Sequence, residues 1–269
     1  MRALLVAAIG APLAGCQVTD DQAQQLGREQ AAELDRQLPL VQDAPSRDFL
    51  DSIGQVVARG AEDRGRPWRF QLVNSDEVNA FALPGGFVYV NRGLVARAAT
   101  LSELTGVLGH EIGHVVLRHS AEQLEKSQRT GVGVTLLCTL TNVCDNELGR
   151  AAVSVGGSAL MARFSRTDEL EADSVAVEYA LRAGLDPDGI PRMFARLMQE
   201  RGGRGSPVEA WFGTHPLETR RIEQAQRVID AIEPRELEGL VVDDESYQRF
   251  RRRLASLPAA PRPAPRPGP

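Results

Sequence analysis

Leu108 to His119 reads LGHEIGHVVLRH, three histidines and a glutamate within twelve positions of a 269-residue chain that has four histidines in all. His110 and His114 stand four apart, so on a helix both imidazoles leave from one face, one turn from each other, and their nitrogens converge on a single ion. Glu111 points beside such an ion rather than at it, which is the placement of a base acting on water. His119 lies five residues beyond His114 and is rotated well away on a continuous helix, so a supporting or helix C-terminal role is expected for it rather than metal binding. The helix itself is predicted to start at Thr100-Leu-Ser-Glu103, a capping box in which Glu103 reaches back to the cap. It carries Leu104, Val107, Leu108, Ile112, Val115 and Val116 into the core.

A catalytic ion needs a third protein ligand and an open fourth position. The string FSRTDELEADSVA from Phe164 to Ala176 offers Asp168, Glu169, Glu171 and Asp173. Glu169 and Asp173 share a helix face, one carboxylate for the ion and one to hold a histidine N–H, whereas Glu171 falls on another face. By itself this acidic group also reads as a solvated helix start; the upstream HExxH, the zinc-peptidase signature on a helix, is what gives it meaning.

HEIGH followed by FSRxxExEAD and then THPLETRR resembles the zinc metallopeptidases that include HtpX, BepA, the Oma-type proteases and the CAAX prenyl endopeptidases. The resemblance extends from about Gly27 to Ile232 and takes in NAFALPGGFVYVNRGL from Asn79 to Leu94. It implies a gluzincin-like α+β fold, mostly helical with a small β-sheet at the active-site cleft, and hydrolysis of peptide bonds in polypeptide substrates. Carried over by position, His110, His114 and Glu169 become the ligands of one Zn2+ per chain, Glu111 the general base, and Asp173 the group that orients a ligand. His215 and Arg221 match the family's HPxxxxR element; His215 either stabilises an oxyanion or fills the open metal position in a self-blocked form. Ala80, Phe81, Ala82 and Leu83 form the cleft edge to which an extended substrate adds as a strand, or else a plain core hairpin. A client-binding assembly factor that cleaves little remains the alternative function.

The N-terminus, MRALLVAAIGAPLAGC, has one early arginine and an apolar run too short to span a bilayer. Residues 1–15 are read as a cleaved signal peptide, with Leu13-Ala14-Gly15-Cys16 resembling the bacterial lipobox, so that a lipid on Cys16 would hold the chain to a membrane. Gln17 after the cysteine favours the outer membrane, periplasmic side. Residues 16–25 are expected as tether, 26–257 as the metallopeptidase domain and 258–269 as a disordered proline-rich tail.

Within the domain, near-helical spacing predicts two helices before Gly60, strands at Trp68 to Val73 and Phe87 to Val90, and a turn at Pro84-Gly85-Gly86. Further helices are expected from about Asp168 to Arg182, Pro187 to Glu200 and Leu217 to Ile232, with a mobile loop at Gly202 to Ser206. The apolar stretch from Gly131 to Met161 reads as a flap near the active site or as ordinary core. Cys138 and Cys144 either close a short disulfide loop or stand as two buried thiols. A net charge of −5 and the lack of a basic, aromatic-interleaved stripe exclude nucleic-acid binding. Arg249 to Arg253, RFRRR, reads as a solvated helix end. Oligomeric state is not encoded in any of these motifs.

Overall fold

The computed structural model describes residues 19–61, 65–130, 163–201, 206–216 and 218–260. The signal segment and Cys16, the 131–161 segment with Cys138 and Cys144, the glycine loop at 202–205 and the tail beyond 260 lie outside the described residues. Among the described residues no helix is long and apolar enough to cross a membrane.

Three strands, β1 (Arg69–Val73), β2 (Ala80–Leu83) and β3 (Phe87–Asn91), form a sheet in the order β1-β3-β2. β1 runs parallel to β3 with Phe70 opposite Val88, and β2 runs antiparallel to β3 with Ala82 opposite the same residue. The β2–β3 turn uses Gly85 and Gly86 at φ +87° and +99°, a backbone region that other residues rarely enter. Every residue of β3 is buried, and its two faces serve two cores in the period of two expected of a strand. Phe87 and Tyr89 pack with Ala31 and Leu34 of helix α1 (Asp20–Gln37), while Val88 and Val90 join the main helical core. The Tyr89 hydroxyl donates to Asp35 Oδ1 at 2.8 Å, fixing α1 on the sheet. Residues 20–25, expected as tether, are instead the first turns of α1, because Thr19 and Gln22 close a capping box there.

On the other face lie α2 (Ala44–Gly60), α3 (Arg92–Arg97) and α4 (Leu101–Val116), followed by α5 (His119–Thr130). α4 is buried from Leu101 to Val115, enclosed by α2, β2, α6 (Arg166–Arg182) and α7 (Gly189–Gln199). An all-round buried helix carries an apolar surface on every side, and the polar groups it does carry must find partners inside. Thr100 accepts from the Glu103 N–H as expected, but the Glu103 carboxylate passes the cap and accepts from the Ala99 N–H at 2.6 Å. Its other oxygen accepts from Arg196 of α7 at 3.1 Å, so the carboxylate is shared between the Ala99 N–H and that guanidinium rather than closing the reciprocal capping-box bond.

Three short or late helices complete the body besides α9 (Thr219–Asp230): α8 (Glu209–Thr214), α10 (Pro234–Leu237) and α11 (Glu245–Ser256). α11 carries the whole RFRRR run. Arg253 there makes two 2.7 Å bonds to Asp43, the N-cap of α2, and Arg251 donates to the Ala96 carbonyl at 3.1 Å. These arginines therefore fasten α11 to the body rather than ending in solvent alone.

Candidate metal centre

The centre is assembled on α4, α6 and the connector between α8 and α9. α4 offers His110 and His114 from one face. The residue before each is a glycine, and a Cβ on Gly109 would stand 3.2 Å from the Ala176 Cβ, while one on Gly113 would stand 2.8 Å from Val175 Cγ2 and 3.2 Å from the Ala172 carbonyl oxygen. α6 can thus lie close against α4. Ser165 and Asp168 form the capping box that starts α6 two residues ahead of the sequence estimate. One turn in, Glu169 reaches the histidines, and one turn further Asp173 stands behind them. His215 arrives from the C-terminal end of α8, in extended backbone before Pro216.

Ligating atoms of His110, His114, Glu169 and His215 all lie within 4.8 Å of one another, and all four residues are buried. His114 Nε2 is 3.0 Å from His110 Nε2 and 3.4 Å from Glu169 Oε1. His215 Nδ1 is 3.2 Å from His110 Nε2 and 3.1 Å from Glu169 Oε1. These four separations lie near the ~3.3 Å expected between neighbouring donors of an ion bound at ~2.0 Å by imidazole and carboxylate. Three ring nitrogens and a carboxylate oxygen packed this closely would oppose one another's lone pairs without a proton or cation among them. The donor set fits a divalent metal ion.

Electrostatics around the cluster follow from burial set against neighbours. Burial holds His114 well below the usual imidazole range, helped by His110, so it keeps a lone pair free for a metal. Burial pushes Glu169 up, but His215 and Arg221 outweigh it and keep the carboxyl well below its ordinary value. Asp173 is likewise lowered: burial opposes ionisation, and Arg221 overcomes it. Burial pulls His215 down, yet Glu169 and Glu111 raise it overall. Glu111 is raised, chiefly by burial against the opposing pull of His215 and His110.

The remaining predicted residues fall around this cluster. Asp173 Oδ1 accepts from His110 Nδ1 at 2.8 Å. Arg221 grips both Asp173 oxygens at 2.7 Å, also contacts Glu169 Oε2, and lays its guanidinium 4.4 Å from the Phe194 ring centre. Glu111 Oε1 stands 3.4 Å from His215 Nε2 and makes no hydrogen bond among the described residues. Glu171 lies off the donor cluster, as its helical phase requires. β2 packs beside α4, and its outer edge carries no strand among the described residues.

Two aromatic rings that sequence reasoning did not single out enclose the site. Phe164 stacks on His114 with ring centres 3.7 Å apart, and Trp211 stacks on His215 at 4.6 Å. Each had a faint signal: Phe164 opens the string that contains Glu169, and Trp211 lies one helical turn before His215.

The model of peptidase family M48 matches residues 46–229, which include α4, α6 and the His215 connector. The beta-barrel assembly-enhancing protease of Yersinia pestis is 30% identical over 227 residues, covering 82% of this chain and 46% of that protein. The metalloprotease YcaL of Escherichia coli is 28% identical over 217 residues, covering 80% of this chain and 82% of YcaL. The mitochondrial metalloendopeptidase OMA1 of Bos taurus is 32% identical over 169 residues, 60% of this chain and 32% of that protein. The chain spans about half the length of the beta-barrel assembly-enhancing proteases it matches. With the matched segment holding every donor of the cluster, this chain belongs to peptidase family M48.

Proposed function

We propose that this chain is a zinc-dependent endopeptidase of the bacterial envelope. In this reading it is held to the outer membrane by a lipid on Cys16 and hydrolyses misfolded or misassembled periplasmic and outer-membrane polypeptides. The observation that carries the chemistry is the convergence of His110, His114 and Glu169 with Glu111 immediately beside them. Zinc suits two imidazoles, a carboxylate and one further position. The substrate class is supported by the names of the relatives alone.

In this reading His110, His114 and Glu169 hold the ion, and Asp173, itself held by Arg221, fixes the tautomer and orientation of His110. Zinc, when bound, would supply Lewis acidity, lowering the pKa of water toward neutrality and polarising a carbonyl. Glu111 takes the proton from the attacking water and delivers it to the leaving amine, a role for which a carboxyl raised by burial is suited. The outer edge of β2, Ala80 to Leu83, receives the substrate as an added strand. His215 occupies the fourth donor position and faces Glu111 with its other nitrogen, which describes a closed, resting form.

Metal analysis of purified protein and cleavage of unfolded envelope polypeptides test the reading together. Glu111→Gln is expected to keep about one zinc per chain and to lose cleavage; proteolysis retained by this variant would remove Glu111 from the mechanism. Wild-type protein free of zinc and inactive after zinc is supplied would remove the enzyme assignment.

A further inference from the structure

The two histidines of α4 are supported in different ways. His110 Nδ1 meets a fully buried carboxylate, Asp173. His114 Nδ1 meets another imidazole, His119 Nδ1, at 3.1 Å, and His119 Nε2 lies 3.2 Å from Glu171 Oε2. His119 is buried, whereas the Glu171 side chain is 56% exposed. This contact exists because α4 does not continue to residue 119. It ends at Val116, and Arg118 takes φ +66°, a left-handed corner from which α5 starts anew and returns His119 to His114.

We propose that His119 is a positioning residue for the metal site, with Glu171 as its outer anchor. The proposal rests on His114 being a metal ligand, as argued above. With Nε2 of His114 committed to a metal, its proton must sit on Nδ1. That N–H donates to Nδ1 of His119, which leaves the His119 proton on Nε2, donating to the Glu171 carboxylate. Every group in the chain then has one role, and the three side chains lock one tautomer of His114. A glutamine at 119 preserves this polarity, its carbonyl accepting from His114 and its amide donating to Glu171. A leucine preserves bulk but neither bond.

Affinity for Zn2+ is measured on the full chain by competition with a chromophoric chelator, with circular dichroism of each metal-free protein to establish that it is folded. His119→Leu is expected to bind zinc roughly 10- to 100-fold more weakly, the usual effect of losing such a support. His119→Gln is expected to recover most of that loss. Glu171→Leu, at a largely exposed position that leaves folding intact, is expected to weaken binding several-fold. Wild-type affinity in His119→Leu overturns the proposal. Equal weakness of the Gln and Leu variants also overturns it, because a packing role would give that result. Unchanged affinity in Glu171→Leu removes the anchor and serves as the deciding result should His119→Leu fail to fold. A wild type that binds no zinc overturns the metal site itself, a distinct outcome seen before any variant is made.

Discussion

His215 turns one ring nitrogen to the donor cluster and the other to Glu111, and under the proposed mechanism this one side chain fills the space that water and a substrate carbonyl would need. His215→Ala is therefore expected to raise the turnover of a short fluorogenic peptide. A fall of roughly 10²–10³ in kcat would instead assign His215 to oxyanion stabilisation. Arg221 is the other decisive residue. It is buried and neutralises both Asp173 and Glu169, so Arg221→Ala leaves two carboxylates buried with their cation gone. A loss of about 3–5 kcal/mol in urea unfolding of the metal-free protein is expected. The sign with pH follows from Asp173, whose carboxyl titrates below its ordinary value in the folded state. Its contribution is fully present above the unfolded pKa of about 4 and is lost as pH falls through the lower folded value. Stability of Asp173→Asn should accordingly fall less steeply below pH 4. Helical phase pairs His110 with His114 and Glu169 with Asp173 in the sequence, but the acidic pair took its meaning from the upstream HExxH and from the family resemblance. The His119 contact was not legible there, because it depends on a left-handed corner at Arg118, a residue type that gives no warning of one.

Helix α4 illustrates what an element must do to host such chemistry. Its glycines at 106, 109 and 113 each lower helix propensity by about 1 kcal/mol relative to alanine, yet they are where α6 and α7 approach. A Cβ at Gly106 would stand 2.9 Å from the Ile190 backbone nitrogen of α7. Gly109→Val is expected to push α6 outward and to cost about 1–3 kcal/mol through overpacking. It should also weaken zinc binding, since Glu169 rides on α6 while the histidines ride on α4. Thermal melting and chelator competition report the two effects separately; a stable variant with full affinity would contradict the close-approach argument. α1, α2 and β1 were readable from periodicity, and α6 and α7 from their start and stop signals. α3, α8 and α11 were not. α3 and α8 are six residues each, too short for a period to register, and α11 is polar except for Tyr247, Phe250 and Leu254, which pack on the body.

At the scale of the molecule, the centre joins segments that are far apart in the chain: α4, α6 and the His215 connector contribute donors to one cluster. An ion bound there only in the folded state stabilises the whole body by mass action, about 4 kcal/mol at a free concentration a thousand times its dissociation constant. Chelation should lower the melting temperature, and added zinc should restore it in a concentration-dependent way. A melting temperature indifferent to both would mean that the donors are not brought together by folding. The corner residue Arg118 also pairs with Asp20, the first residue of α1. Cys16 lies four positions earlier, a reach of about 14 Å for fully extended chain. If Cys16 carries the proposed lipid, the short covalent run into α1, itself packed on the sheet through Ala31, Leu34 and Tyr89, acts as a leash. Under that proposal the exit of the histidine-bearing helix stays close to the bilayer surface, and the distance of a peptide bond from the membrane joins its sequence as a determinant of whether it is cut.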